Sequence, residues 1–483
     1  MAFFGRSIYD IVSGTRSGET SCHEVVARAL GLIEEQDGKF NSFISVHKET
    51  ALKTAGDLDK LPQSERGKMP LYGVPVAVKD NICVSGAATT CASKMLSNFV
   101  PPYDAAAVEA LKKAGAVIVG KTNLDEFAMG STSESSIFGP TRNPVDTQKI
   151  PGGSSGGSAA ALRAGFVPAA LGTDTGGSIR QPSAHCGAVG LKPTYGRVSR
   201  YGLAALASSL DHIGPMANDV RDIGLLLSVI SEADKRDSTC ANIPFVDSAD
   251  NYSGDVKGLR VGMPAEYFEN GLSNEVRGHI ESLVERLKER GARIVDISLP
   301  NVKHATAAFY VICAAEASSN MARYDGVKFG FRAQGTKTLD DMYMETRAQG
   351  FGSEVKRRIM LGTYVLSSGN YGDYYLKACR VRTLVCRDFV NAFNSCDLVI
   401  SPVTPAPAFN IGEKSGDPIA MYFMDTCKKF TVSANLAGIP AISVPCGVCD
   451  TLPVGVQFMA PQWREDLLLR AAYAVQTLCS GQK

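Results

Sequence analysis

Apolar residues recur along this chain in two periods, and the switches between them outline its elements. Residues 21–36, SCHEVVARALGLIEEQ, space apolar side chains for one face of a helix, and Ser21 with Glu24 makes a capping-box start. The run YGVPVAVKDNI, 72–82, reads as a strand ending near Lys79. Residues 104–114 predict a helix stopped by Gly115, and AVIVG, 116–120, a short buried strand. The alanine-rich stretch 155–164 predicts a helix opening directly out of a glycine block. VPAALGT, 167–173, predicts the next strand, and DTGGSIRQP a loop leading into GAVGLKPTYGRVSRYG. Residues 258–298 repeat the alternation as strand, charged amphipathic helix and strand. Residues 304–395 are mostly helical in pattern, strand-like pieces return in DLVISPVTP, AISVPCG and PVGVQFMAP, and REDLLLRAAYAVQTL predicts a closing helix. Helices alternating with buried strands define an α/β protein. The C-terminal strands are expected to rejoin the sheet begun by the N-terminal half, making residues 1–483 one body with a helical insertion at about 304–395.

Composition adds bounds. An apolar fraction of 45% and a charged fraction of 20% are ordinary for a globular protein, and the length supports a large core. Lys plus Arg number 50 against 49 Asp plus Glu, so the chain has no overall pull toward nucleic acid. If the substrate is linked to RNA, a partner is expected to grip most of that RNA. The 13 cysteines are odd in number and mostly in apolar or helical surroundings, which predicts free buried thiols in a reducing compartment. Cys446 and Cys449 have CxxC spacing, but no second pair accompanies them, and the alternative is two small apolar residues beside a strand. The start MAFFGRSIYD lacks the apolar stretch of a signal peptide, and no run reaches membrane-span length; a cytoplasmic or organelle-matrix location is expected.

Candidate chemistry centres on two glycine-flanked serines, Ser154 in PGGSSGGSAAA and Ser178 in GGSIRQP, 24 positions apart. GGSSG matches the G-x-S-x-G elbow of α/β-hydrolases, but PVDTQKIP before it reads as a loop where an elbow needs a strand. No GK[ST] follows, so a phosphate loop fits poorly. A flexible glycine loop remains open. Serine needs a base to become nucleophilic. None of the six histidines carries a supporting motif: His185 is nearest in sequence to Ser178, and a core ring is the competing reading. Lys79, at the end of an apolar strand, is the remaining base, because desolvation lowers a lysine's pKa. Its alternative is a solvated charge or an ion pair with Asp80.

GVPVAVKDNI, GGSSGGSAAALRAG and ALGTDTGGSIRQPSAHCGAVGLKPTYG together resemble the amidase signature family, most strongly over 72–220, and NLAGIPAISVPCG fits it too. The resemblance implies a large mixed central β-sheet covered by helices on both faces. It implies a Ser-Ser-Lys triad: Ser178 as nucleophile, Ser154, held by a cis peptide, as relay, and Lys79 as base. The backbone amides of Thr175, Gly176, Gly177 and Ser178 would form the oxyanion hole, with Gly176 and Gly177 leaving the approaching carbonyl unobstructed.

Longer stretches, including LDEFAMGSTSESSIFGPTRNP and FGSEVKRRIMLGTYVLSSGNYGDYYLKACRVR, resemble the A subunits of tRNA-dependent amidotransferases. That likeness implies a glutaminase passing ammonia to a B subunit, which would hold ATP and magnesium and most of the misacylated tRNA, with a small C subunit completing a heterotrimer. No cofactor or metal is expected in this chain, and no membrane contact. Glutamine would meet Arg358 through its carboxylate and Asp425 through its ammonium, with Tyr310 nearby. A zwitterion needs one cation and one anion, which is the sense of such a pair. His212 in SLDHIGP stands where relatives often carry glutamine, which puts a local contact in doubt. A stand-alone amidase acting on small or aryl amides is the other reading.

Overall fold

The computed structural model describes residues 7–243, 245–269, 271–414 and 429–480. Eleven strands form one sheet: β1 Phe43–Val46, β2 Pro75–Lys79, β3 Val117–Thr122, β4 Ala169–Asp174, β5 Val189–Lys192, β6 His212–Ala217, β7 Arg260–Pro264, β8 Arg293–Ile297, β9 Leu398–Pro402, β10 Ala441–Cys449 and β11 Leu452–Met459. Their order across the sheet is β1-β3-β2-β4-β6-β5-β10-β11-β9-β7-β8. β2 runs parallel to both β3 and β4, while β4 is antiparallel to β6 with Asp174 opposite His212. The sheet is therefore mixed, and the C-terminal strands β9, β10 and β11 do rejoin it, with β7 and β8 at its far edge.

Both faces are covered. Every residue of β2, β3 and β4 is buried. Successive side chains of a strand point to opposite faces, so Val76 and Val78 enter one core while Ala77 enters the other. The core containing Ala77 is closed by the helices Cys22–Gln36, Lys48–Asp59 and Gly156–Arg163, through residues such as Val26, Leu30, Ala55 and Leu162. The first of these starts at Ser21, whose hydroxyl takes the Glu24 amide while the Glu24 carboxylate takes the Ser21 amide. That exchange satisfies donors a helix start leaves open.

Residues 305–392 are largely helical: Ala305–Met321, Leu339–Gly350, Ser353–Leu366 and Lys377–Ala392. Ala305–Met321 packs on Ser353–Leu366 and on Lys377–Ala392 and faces the short helix Val432–Ala437. One expectation fails locally. RQP in the stretch read as a loop begins a helix, Arg180–Cys186. Pro182 lies in its first turn, where a missing amide costs nothing.

Beside the end of β2, Asp80 turns away from Lys79. Its Oδ1 accepts from Lys121 Nζ at 2.9 Å, its Oδ2 from the Thr90 amide at 2.8 Å, and both charged side chains are fully buried. The ion pair considered for Lys79 thus belongs to Lys121, which also donates to Thr89 Oγ1 at 3.0 Å. Replacing one member of a buried pair strands the other charge. Lys121→Met is expected to lower stability by about 3–5 kcal/mol, read as a drop in denaturant midpoint.

Candidate active site

Lys79 is the last residue of β2 and is fully buried. Its Nζ lies 2.8 Å from Ser154 Oγ, 2.9 Å from Ser155 Oγ and 2.8 Å from Thr173 Oγ1. The Gly153–Ser154 peptide is cis, and no regular strand precedes Ser154, so the elbow geometry is absent. The Ser155 hydroxyl donates to Thr173 O at 3.1 Å, which leaves its oxygen to accept from Lys79. Thr173 Oγ1 also accepts from Asn81 Nδ2 at 3.1 Å. The amine is thus held among three hydroxyl oxygens, with Ser154 Oγ at hydrogen-bond distance. Burial drives the Lys79 pKa down to about 7, although the carboxylates of Asp125, Asp174 and Asp211 pull it upward. At neutral pH the amine is free of its proton part of the time.

Ser178 sits on the loop between β4 and the helix Arg180–Cys186, and its carbonyl accepts the Ser155 amide at 3.1 Å. This bond ties the loop of Ser178 to that of Ser154. The loop itself is clamped from several sides. Asp174 accepts the amides of Gly177 at 2.7 Å and Ile179 at 3.1 Å. Arg180 meets the same carboxylate through Nε and Nη2, both at 3.1 Å, and continues to Asn435 Oδ1 at 2.6 Å and Gln457 Oε1 at 2.9 Å. Burial alone would raise the Asp174 carboxyl, but Arg180 and Asn435 hold it far below the ordinary range. The Thr431 hydroxyl donates to Gly176 O at 2.7 Å.

One expectation about this loop changes. The Gly177 amide is already committed to Asp174, so of the four amides named for an oxyanion hole only those of Thr175, Gly176 and Ser178 make no hydrogen bond to another described residue. Packing also requires the two glycines. A Cβ on Gly176 would lie 2.5 Å from Phe309 Cζ, and one on Gly177, whose φ is +123°, would collide with the Thr431 hydroxyl.

Arg358 and Tyr310 come together from two helices, with the guanidinium 5.8 Å from the ring centroid. Arg358 is 4% exposed and its Nε meets Glu354 Oε1 at 2.7 Å. Asp425 lies outside the described residues. Asp125, which the sequence motifs did not single out, is buried against the relay loop: its Oδ2 accepts the Ser133 amide at 3.0 Å and would collide with a Cβ on Gly153. Ser155, Thr173 and Asp174 were also missed, though each neighbours a predicted residue within the same motifs. Thr431 and Gln457 carry no local signal, since they act more than 250 positions from the loop they hold, and Asn435, which opens NLAGIPAISVPCG, was not singled out within that stretch.

His185 is a buried ring whose pKa burial lowers to about 4, the core reading considered for it. Cys446 lies buried within β10 and Cys449 at its end, both as free thiols. Among the described residues no group of three or more His, Cys, Asp or Glu is placed to hold a metal ion, and no helix is long and apolar enough to cross a membrane.

A buried lysine in contact with a serine on one glycine loop, itself tied by a backbone hydrogen bond to a second glycine loop carrying another serine, thus sits on a mixed α/β sheet. The amidase family profile matches residues 24–469, and the chain belongs to the amidase family. It is 52% identical over 478 residues to the A subunit of glutamyl-tRNA(Gln) amidotransferase from Geobacter metallireducens, covering 99% of this chain and 98% of that one. Among solved structures it resembles the corresponding A subunit from Thermotoga maritima, at 40% identity and a TM-score of 0.81 over 99% of this chain and 95% of that one. It also resembles the peptide amidase of Stenotrophomonas maltophilia, at 29% identity and a TM-score of 0.83 over 98% of this chain and 96% of that one.

A base must be unprotonated to accept a proton, so activity should fall as pH drops through the Lys79 pKa. A plot of log kcat/KM against pH should rise with unit slope to a plateau, with an inflection at about 7.

Proposed function

We propose that this chain is the glutamine-hydrolysing component of a tRNA-dependent amidotransferase. The observation that carries the reading is the pairing of full-length likeness to amidotransferase A subunits with a fully buried Lys79 amine 2.8 Å from Ser154 Oγ. Ser178 attacks the carboxamide carbon of glutamine. Its proton passes to Ser154 as the proton of Ser154 passes to Lys79. The amides of Thr175, Gly176 and Ser178 receive the oxyanion; one such donor is typically worth roughly 2.7–4 kcal/mol in the transition state. Collapse breaks the C–N bond, the relay returns a proton to the leaving nitrogen, and ammonia departs from a glutamyl ester on Ser178. Water then attacks the ester by the same proton path and glutamate leaves.

Arg358 would hold the substrate carboxylate and Asp425 its ammonium, with Tyr310 walling the pocket between them. The ammonia would go to a B subunit that activates the carboxylate of Glu-tRNA(Gln), or of Asp-tRNA(Asn), with ATP and magnesium, a C subunit joining the two. The net charge of +1 supports leaving the RNA to that partner. Identity of 52% to an amidotransferase A subunit, against 29% to a peptide amidase, favours this reading over a stand-alone amidase.

Purified with the chains it co-purifies with, the protein is expected to convert glutamine to glutamate and ammonia, and Ser178→Ala to lose both turnover and the trapped acyl-enzyme. Rapid cleavage of aryl amides by the isolated chain, with none of glutamine, would overturn the assignment. Arg358→Ala removes a charge-assisted contact worth about 1.5–3 kcal/mol, so kcat/KM for glutamine should fall about 10- to 150-fold, mainly through KM.

A further inference from the structure

Most anchors of the oxyanion loop grip its backbone. One grips a side chain. The Thr175 hydroxyl donates to Asp211 Oδ1 at 2.7 Å, and Asp211 Oδ2 accepts the amides of Leu206 at 2.9 Å and Ala207 at 3.0 Å. Thr175 and Asp211 are each only 3% exposed, so no water competes for these bonds. Asp211 immediately precedes β6, and the next residue reaches the same loop. His212 Nδ1 lies 2.6 Å from Leu210 O and 3.1 Å from Asp174 O. Both partners are carbonyl oxygens, so that nitrogen carries the proton and Nε2 is left as an acceptor. Nε2 faces Lys192 Nζ at 3.4 Å, and Lys192 also donates to Pro193 O at 3.0 Å. Two consecutive residues thus hold the Thr175 side chain and the carbonyl of the peptide that supplies the Thr175 amide. Apart from Lys192, the side chains of Asp211 and His212 hydrogen-bond, among the described residues, only to the Thr175 hydroxyl and to backbone groups.

We propose that Asp211 is a positioning residue for amide hydrolysis, acting through the Thr175 hydroxyl to aim the Thr175 amide at the developing oxyanion, with His212 fixing the carbonyl on the other side of that peptide. The inference rests on reading Thr175 to Ser178 as the oxyanion loop. Its physical basis is directional: an amide donor stabilises the tetrahedral oxygen only if its N–H is already aimed there, because reorientation during reaction forfeits the advantage. A buried carboxylate with three donors on it cannot turn. Leucine at 211 keeps the branched shape but offers no hydrogen-bonding atom, so the Thr175 hydroxyl loses its tie; asparagine would keep one, its NH2 donating to the hydroxyl oxygen.

The test compares wild type, Asp211→Leu, Thr175→Val and the double variant in the protein purified with its co-purifying chains. Positioning through one hydroxyl predicts that each single variant lowers kcat for glutamine about 10- to 100-fold with KM within about twofold, and that the double variant is no worse than the poorer single one. Melting temperatures check the fold; if Asp211→Leu does not fold, Thr175→Val alone decides by the same split of kcat from KM. An unchanged kcat, a loss confined to KM, or losses that multiply in the double variant would overturn the proposal. Sulfonylation of Ser178 by phenylmethanesulfonyl fluoride, followed by mass spectrometry, runs in parallel and needs no glutamine. If wild type hydrolyses no glutamine, the substrate assignment fails, and slower labelling of both single variants still supports the positioning role while equal labelling overturns it.

Discussion

The chemistry proposed for this protein depends on taking one lysine out of water. Lys79 at the end of β2 has no solvent to keep it charged, and three hydroxyl oxygens surround its nitrogen. Burial favours the neutral amine, and nearby carboxylates keep the shift from going too far. In the proposed chemistry this makes a base poised near neutral pH out of a lysine rather than a histidine. The Ser155 and Thr173 hydroxyls hold the amine in place, within hydrogen-bond distance of Ser154. The charge that β2 might have offered as a counterion, Asp80, is occupied by Lys121 on β3. Pairing Lys79 with it would have fixed the proton in place.

The second constraint is stiffness in the glycine loop of Ser178. A loop rich in glycine is flexible in isolation, yet this one is held by Asp174 from within, by Phe309 from one helix, by Thr431 from the C-terminal part of the chain and by Asp211 from the start of β6. The glycines are what allow those groups to come so close. Arg180 extends the clamp to β11 through Gln457 and to the helix Val432–Ala437 through Asn435. The return of the C-terminal strands to the sheet is therefore part of how the loop keeps its shape.

The sequence was most legible where structure is local. The helix Cys22–Gln36 follows from its capping box and period, and β2, β3 and β4 from runs of apolar residues that buried parallel strands require. Lys79, Ser154 and Ser178 stand out because their motifs are dense, although the residues alone left a salt bridge and a flexible loop as competing readings. What was not legible was assembled at a distance. β6, HIGPMA, contains Gly and Pro and does not alternate as a strand usually does. The helix Arg180–Cys186 hides behind its proline. Asp211, Thr431 and Gln457 acquire a role only when the sheet order brings them to the loop. Gly177 is the converse case: its place in the motif suggested a free amide, and the carboxylate three residues earlier had already taken it.

The central claim is that Lys79 is a neutral base, and its own titration tests that most directly. With 13C at the lysine ε-carbons, the resonance lost in a Lys79→Met difference spectrum should titrate with a pKa of about 7. A Lys79 signal that stays charged up to about pH 10, the range of an ordinary lysine, would contradict the account.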